Sequence, residues 1–210
     1  MKIILIYQAA TDMEWAASYD AAGYARASAE ERLRPAAPVN VKKGDASAYR
    51  IYTGTTPASA QTAELLFNFT EPPERTPLLD DVPAGTFRDT GKSRPLPLWR
   101  AAEEIRWRFG GEGRTESRRE TMARVGELVD RLEREDRDAS VIARGLTMKA
   151  LKAVLRRRGY TIDGGGPAPR PLDRLRAAKQ SARCGGCNHN CPLSNPKCDV
   201  GRNKAKALRG

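Results

Sequence analysis

The stretch YRIYTGTTPASAQTAELLF, residues 49–67, decides the fold that we expect for this chain. The run Tyr49–Thr53 is rich in aromatic and β-branched residues and predicts a buried strand, and Gly54 begins a turn. Pro57 fits the first turn of a helix, because the N–H that proline lacks has no partner there. The apolar side of this helix is formed by Ala60, Ala63, Leu66 and Phe67. A strand followed at once by a helix is typical of α/β domains with parallel sheets.

The same alternation of strands and helices continues through residue 163. Apolar runs predict further strands at Lys2–Tyr7 and Ser140–Ala143. Helical spacing, stop signals and a capping box of Ser117 with Glu120 predict helices at Asp20–Arg34, Trp99–Phe109, Ser117–Glu135 and Leu146–Arg158. We therefore predict an α/β fold with a mostly parallel sheet flanked by helices. The reactive site of such a sheet lies at the carboxyl ends of its strands.

Four segments carry a family likeness: KIILIYQAATDMEW (residues 2–15), IYTGTTPASAQTAELLF (51–67), TESRRETMARV (115–125) and SVIARGLTMKALKAVL (140–155). In this order they resemble the motifs of the histidine phosphatase (phosphoglycerate mutase-like) superfamily. The run Gln61-Thr62-Ala63-Glu64 is the most specific of these matches. The resemblance covers about residues 1–160 and implies a phosphoglycerate mutase-like fold, with Arg124 at the place of a family arginine.

The resemblance does not extend to the chemistry of that family. There a histidine attacks phosphorus, while a second histidine and two arginines bind the phosphoryl oxygens. The matched motifs place Tyr7 and Gln8 at the first arginine and histidine, Ala58 at the second-motif arginine and Arg144 at the last histidine. A glutamine amide nitrogen has no lone pair available to attack phosphorus. We therefore expect a catalytically inactive protein, and a phosphatase with altered chemistry is the alternative.

Two parts of the family site could persist, its acid/base carboxylate and an anion pocket. Asp81, or its neighbour Asp80, stands where the family has that carboxylate. Arg144 with Tyr7 and Gln8 could hold a phosphate-type ligand by charge and hydrogen bonds. The other interpretation is that Arg144 forms an ordinary salt bridge with Asp80, Asp81 or a nearby glutamate. Ligand binding without turnover and a purely structural arginine are thus both open.

All four cysteines lie in one segment, CGGCNHNCPLSNPKC, residues 184–198. The glycines and asparagines between them favour tight turns, so that four thiolates can converge on one point. We expect Cys184, Cys187, Cys191 and Cys198 to bind Zn²⁺ or a [4Fe–4S] cluster, and their spacing does not choose between the two. Two disulfides, a redox dithiol pair and a loose reduced tail are the alternatives.

The first residues predict neither a signal peptide nor a membrane span. Ile3–Ile6 is a run of only four strongly apolar residues, too short for either kind of segment. We therefore expect a cytoplasmic location, where thiols stay reduced and clustered cysteines bind metal.

The net charge of +11 belongs to the end of the chain. Residues 1–151 hold 23 basic and 23 acidic side chains, whereas residues 152–210 hold 14 basic and 3 acidic ones. This asymmetry indicates an anionic partner such as nucleic acid, or else a solvated tail. Aromatic residues that could stack on bases are nearly absent from the second region, where Tyr160 is the single example.

We divide the chain into three parts: an α/β domain (1–163), a linker and basic helix (164–183), and a four-cysteine metal-binding module with a basic tail (184–210). The basic helix is predicted at Leu172–Arg183. The leading hypothesis is a non-catalytic binding or scaffold protein. A redox or iron-sensing [4Fe–4S] protein and a nucleic-acid-associated protein are alternatives of different classes.

Overall fold

The computed structural model describes residues 1–46, 49–85, 87–88, 90–113, 115–165, 170–179 and 199–207. It divides into two compact units, Met1–Ala178 and Lys179–Gly210. The strands are β1 (Lys2–Tyr7), β2 (Ser18–Tyr19), β3 (Gly44–Asp45), β4 (Arg50–Thr53), β5 (Phe67–Asn68), β6 (Glu74–Arg75), β7 (Arg94–Pro95), β8 (Ala139–Ala143), β9 (Tyr160–Asp163) and β10 (Arg174–Lys179). The helices are α1 (Ala21–Leu33), α2 (Pro57–Leu66), α3 (Leu96–Phe109), α4 (Arg118–Glu135), α5 (Gly145–Arg157) and α6 (Asp199–Ala207), with a short 3-10 helix at Pro77–Leu79.

A six-stranded sheet in the order β6-β4-β8-β1-β10-β9 forms the centre of the first unit. The strands β6, β4, β8 and β1 run parallel, and β10 pairs antiparallel with β1. Every residue of β8 is buried, as expected of a parallel strand covered on both faces. The predicted α/β fold with a mostly parallel sheet flanked by helices is confirmed.

Alternate residues of the central strands pack against helices on opposite faces of the sheet. Leu5 and Val141 lie in the cluster that contains the inward side chains of α4 and α5, whereas Ile6 and Ile142 pack with Ala63 and Leu66 of α2. Because successive side chains of a strand point to opposite faces, one short apolar run supplies both halves of the core.

Aromatic side chains join α1 to α3. Tyr24 stacks on Trp99 with ring centroids 5.4 Å apart, and Phe87 meets the edge of Trp99 at 4.8 Å. Asp20 caps α1 by accepting a hydrogen bond from the Gly23 N–H. This cluster holds the proline-rich segment before α3 against α1.

Local signals located several elements well. The capping box of Ser117 and Glu120 is present at the start of α4, and α2 begins at Pro57 as predicted. Helix α3 begins at Leu96 rather than at Trp99, because Pro97 occupies the first turn, where its missing N–H costs no hydrogen bond.

The predicted basic helix at Leu172–Arg183 is wrong for its described part. Arg174–Lys179 is the strand β10, with Leu175 and Ala177 buried and the intervening basic side chains exposed. This two-residue periodicity fits a strand beside β1 that turns its apolar groups to the buried face of the sheet and its charges to solvent. The main sheet therefore continues almost to the end of the first unit.

The second unit is described at α6 alone. Asp199 lies in the first turn of this helix, and Lys204 and Lys206 lie in its last turn, an arrangement that complements the helix dipole. The metal knot predicted at Cys184, Cys187, Cys191 and Cys198 lies outside the described residues. Within the described residues, no helix combines the length and the apolar character that crossing a membrane requires.

Candidate functional site

A cleft of about 530 Å³ opens at the carboxyl ends of β1, β4 and β8. The parallel pairing sets Tyr7 opposite Ala143, and the Gln8 N–H donates to the Ala143 carbonyl at 3.0 Å. All five positions singled out from the sequence contribute to its wall: Tyr7, Gln8, Ala58, Asp81 and Arg144. Sheet topology thus collects residues that are far apart in the chain.

Arg144 is held by two carboxylates at the mouth of the turn between β8 and α5. Its guanidinium lies 2.7 Å from Glu31 of α1 and 3.3 Å from Asp81. Burial alone lowers the pKa of Arg144, but Glu31 and Asp81 outweigh burial and the pKa is raised. The salt bridge considered as the alternative to an anion pocket is therefore present.

Asp81 lies against the N-terminus of α5. Its Oδ1 accepts hydrogen bonds from the N–H groups of Val82 at 3.0 Å and Thr147 at 3.4 Å. Gly145 has φ +51°, and a Cβ at that position would collide with the Asp81 carboxylate. Burial raises the pKa of Asp81, and Arg144 and the two N–H groups oppose this rise without cancelling it.

Asp80 has a different role from its neighbour. Its carboxylate accepts hydrogen bonds from the N–H and the hydroxyl of Thr55, both at 2.6 Å. Its carbonyl accepts a hydrogen bond from the Thr147 hydroxyl at 2.8 Å. Asp80 thus fixes the loop after β4 to the start of α5, and Asp81 is the carboxylate of the pair that lines the cleft.

Tyr7 and Gln8 stand side by side at the end of β1. The Tyr7 hydroxyl accepts a hydrogen bond from Lys152 Nζ at 2.7 Å, and the same ammonium lies 5.4 Å from the centroid of the Tyr7 ring. Gln8 is buried. Tyr7 is therefore positioned by α5, while Gln8 forms part of the cleft floor.

The most specific part of the family likeness holds backbone in place. The Thr62 hydroxyl accepts a hydrogen bond from the Ala9 N–H at 3.0 Å and donates to the Ala58 carbonyl at 2.6 Å. Gln61 Oε1 accepts a hydrogen bond from the Ala36 N–H at 2.7 Å. These bonds fix the loops around β1 and α1 to α2.

Arg124 is committed to a network away from the cleft lining. It binds Glu116 through two nitrogens, at 3.0 and 2.9 Å, and donates to the carbonyls of Pro77 and Leu78 at 3.0 and 2.8 Å. It is not among the residues that line the cleft. The matched arginine therefore joins α4 to the 3-10 helix.

The lining residues that were not anticipated from the sequence include Glu31, Glu103 and Trp15. Glu103 of α3 has a buried Oε1 that accepts no hydrogen bond from the described residues. Burial raises the pKa of Glu103, and the nearby Tyr24 hydroxyl opposes the rise. For Glu31 the sequence offered one signal, helical spacing, because Tyr24, Ser28 and Glu31 share a face of α1.

The described residues of the cleft provide no histidine or cysteine nucleophile. None of the described lining residues is a histidine or a cysteine. Nor do the described residues contain a group of three or more histidine, cysteine or acidic side chains placed to hold a metal ion. What the cleft offers is an aromatic wall and charged groups, of which Arg144 is already paired.

Comparisons with known proteins gave structural similarity at low sequence identity. No family model matches the chain. No curated protein matches it either. A mycobacterial glucosyl-3-phosphoglycerate phosphatase, solved with VO3, is 18% identical, with coverage of 74% of this chain and 82% of that one and a TM-score of 0.46. The protein histidine phosphatase SixA, solved with tungstate, is 13% identical, with coverage of 74% and 76% and a TM-score of 0.38.

A third similar structure is the product of an open reading frame of Mycobacterium tuberculosis. It is 15% identical, with coverage of 75% of this chain and 79% of that one and a TM-score of 0.42. Structures similar to this chain thus include histidine phosphatases. At these values the similarity assigns neither a family nor an activity to the chain.

Proposed function

We propose that this protein binds a small molecule in the cleft at the strand ends and does not hydrolyse phosphate esters. The observation that carries the proposal is the double pairing of Arg144 with Glu31 and Asp81. An arginine that serves a transition state must aim free N–H groups at the charge that develops there. Here the Nε and one terminal nitrogen of Arg144 are already paired with carboxylates.

The electrostatics of the cleft argue against a phosphoryl group at Arg144. A phosphate placed against this guanidinium would also face Glu31 and Asp81. Two like unit charges about 4 Å apart repel by about 4 kcal/mol at an effective dielectric constant near 20. Removing the attacking nucleophile typically costs several powers of ten in rate, and Gln8 cannot supply one.

A turnover assay tests the proposal. The full-length, metal-loaded protein is incubated with p-nitrophenyl phosphate and with phosphorylated sugars, beside the variants Arg144→Met and Asp81→Asn. We expect no release of phosphate that depends on either side chain. The exposed substitution Glu112→Gln is the control for preparation and charge. Turnover that disappears in Arg144→Met or Asp81→Asn would replace the binding function with a phosphatase of altered chemistry.

We also propose that the segment 184–198 binds Zn²⁺ or a [4Fe–4S] cluster through Cys184, Cys187, Cys191 and Cys198. The support is sequence spacing, because four thiols within 15 residues suit either metal group. Anaerobic purification followed by elemental analysis and an absorption spectrum decides between them. Colourless protein with one zinc indicates a structural site. Brown protein that bleaches with dithionite indicates a redox or iron-sensing centre, and metal-free protein contradicts both.

A further inference from the structure

We infer that the cleft at the strand ends takes a ligand with a protonated amine or guanidinium group, which binds to Glu103 beside the aromatic ring of Trp15. This inference rests on the proposed binding function and names the class of ligand. It reverses the charge of the phosphate-type ligand that the family likeness implies.

Glu103 is an incomplete hydrogen-bonding group in the wall of the cleft. Glu103 Oε1 is buried and accepts no hydrogen bond from the described residues, although the nearby Tyr24 hydroxyl lowers the pKa of the Glu103 carboxyl. A buried acceptor without a donor costs about 1–3 kcal/mol, and more when it is charged. A ligand N–H removes this cost when the Glu103 side chain turns Oε1 toward the cleft, and a cationic donor forms the strongest such bond.

The charges that face Glu103 leave room for one cation. Burial is the main cause of the raised pKa of Glu103. The charges of Asp81 and Glu31 raise this pKa further, whereas Arg100 lowers it. Arg144 is already paired with both other carboxylates. Three carboxylates beside two guanidiniums leave one negative charge uncompensated when Glu103 is ionised. A monocation neutralises this charge, and a phosphate adds to it.

Two of the other lining cations, Lys149 and Arg32, have hydrogen-bond partners. Lys149 pairs with Glu104 at 2.6 Å, and Arg32 donates to the Asp81 carbonyl at 3.0 Å. Arg170 also lines the cleft, and an anionic ligand would have to bind there or at Arg32. The two ligand classes therefore use different residues, which makes them separable by mutation.

The aromatic wall suits the hydrocarbon part of an amine. Trp15 lies 6.2 Å from Tyr24 between ring centroids, and both rings line the cleft. The guanidinium carbon of Arg100 lies 5.0 Å from the Trp15 centroid, so this ring already attracts one cation. Cation–π contacts of this kind contribute about 0.5–2 kcal/mol. An alkylamine can thus bind by both its charged end and its chain.

Binding of four probes tests the ligand class on the full-length protein: n-butylammonium, n-butanol, butyrate and inorganic phosphate. Amide chemical-shift changes of the cleft residues report binding. We expect saturable binding of n-butylammonium, at least about tenfold tighter than n-butanol, which is a difference of about 1.4 kcal/mol. Glu103→Gln should weaken the binding of n-butylammonium by about tenfold or more, whereas Glu112→Gln should leave its binding unchanged. Tighter binding of butyrate or phosphate, or the absence of saturable binding by any probe, overturns the inference.

A proton balance separates a role of Glu103 from a general effect of its mutation. Burial holds the pKa of Glu103 above its usual range. At a pH below that pKa the carboxyl group is protonated, so binding of a cation must release a proton. Calorimetry of n-butylammonium in two buffers of different ionisation enthalpy measures this release. Release that persists in Glu103→Gln assigns the titration to Asp81, whose pKa is also raised, and overturns the assignment.

The outcomes of this experiment and of the turnover assay are independent. Absence of both phosphate-ester turnover and amine binding overturns the amine inference and leaves the non-catalytic binding function standing. Turnover lost with Arg144 or Asp81 overturns the binding function itself.

Discussion

Glu103 is a carboxylic acid whose ionised form is unfavourable in the folded protein. Burial raises its pKa, and the nearby Tyr24 hydroxyl opposes the rise only in part. An acid with a raised folded-state pKa contributes stability below its unfolded pKa and loses that contribution as the pH rises through the folded pKa. The raised pKa of Glu103 therefore lowers the stability of the ligand-free protein at neutral pH.

Replacing Glu103 with glutamine should increase the free energy of unfolding at neutral pH. The gain should shrink on acidification and vanish below the unfolded glutamate pKa of about 4.3, because wild-type Glu103 is then protonated in both states. Urea denaturation over this pH range measures the difference between the two proteins.

The next residue along α3 provides the control for that measurement. Glu104 pairs with Arg108 at 3.1 Å and with Lys149 at 2.6 Å at the surface. Glu104→Gln should therefore show no gain in stability at neutral pH. A gain for Glu103→Gln that persists undiminished down to about pH 4 would contradict the explanation by burial.

The site residues divide by the kind of signal that marks them in the sequence. Tyr7 ends a strand, and Gln8 and Arg144 each follow one, so strand prediction alone places them at one edge of the sheet. Glu31 and Glu103 lie within helices, where spacing indicates a buried face without indicating what that face contacts. Their approach to the cleft depends on how α1 and α3 pack, which is a tertiary property.

Strand β10 carries apolar residues on one face and basic residues on the other. Leu175 is buried in the core cluster of α4 and α5, whereas Arg176 is exposed on the opposite face. The strand pairs with β1, setting Leu5 opposite Leu175. The segment therefore contributes to the core despite its high charge.

Truncating the two neighbouring side chains of β10 should give very different results. Leu175→Ala should lower the free energy of unfolding by about 2–5 kcal/mol, because it removes buried methyl groups and leaves a cavity. Arg176→Ala, on the exposed face, should change it by less than about 0.5 kcal/mol. Urea midpoints measure both. Equal losses would be inconsistent with the alternation of β10.

Elements with local signals could be predicted, and elements that depend on distant partners could not. The capping box of Ser117 and Glu120 lies within four residues, so it marks the start of α4 without reference to the rest of the fold. Strand β10 has a basic composition that is equally compatible with a solvated helix. The segment forms a strand because it pairs with β1, which is far away in the sequence.

At the scale of the whole molecule, charge separates the two ends of the chain. Residues 1–151 are balanced, and residues 152–210 carry the full net charge of +11. In α6, the described part of the second unit, the last turn carries Lys204 and Lys206. An anionic polymer such as DNA is the partner that we propose for this basic end.

Binding of the full chain to a short DNA duplex should weaken steeply with salt, because each neutralised phosphate contributes about −0.9 to the slope of log K against log salt. The double substitution Lys204→Gln with Lys206→Gln should make the slope shallower. The matched pair Lys42→Gln with Lys43→Gln, in the balanced region, should leave it unchanged. Titrations by fluorescence anisotropy measure the slope, and undetectable binding at low salt contradicts the prediction.

The bonds made by Gln61 and Thr62 bear on how motifs of this kind are interpreted. Both side chains hold main-chain N–H groups of distant loops, at Ala36 and Ala9. A pattern built on such residues reports how the polypeptide is folded, whatever reaction the neighbouring cleft performs. A match to this pattern therefore indicates the fold of a chain, and the reaction of each chain that carries the pattern has to be measured.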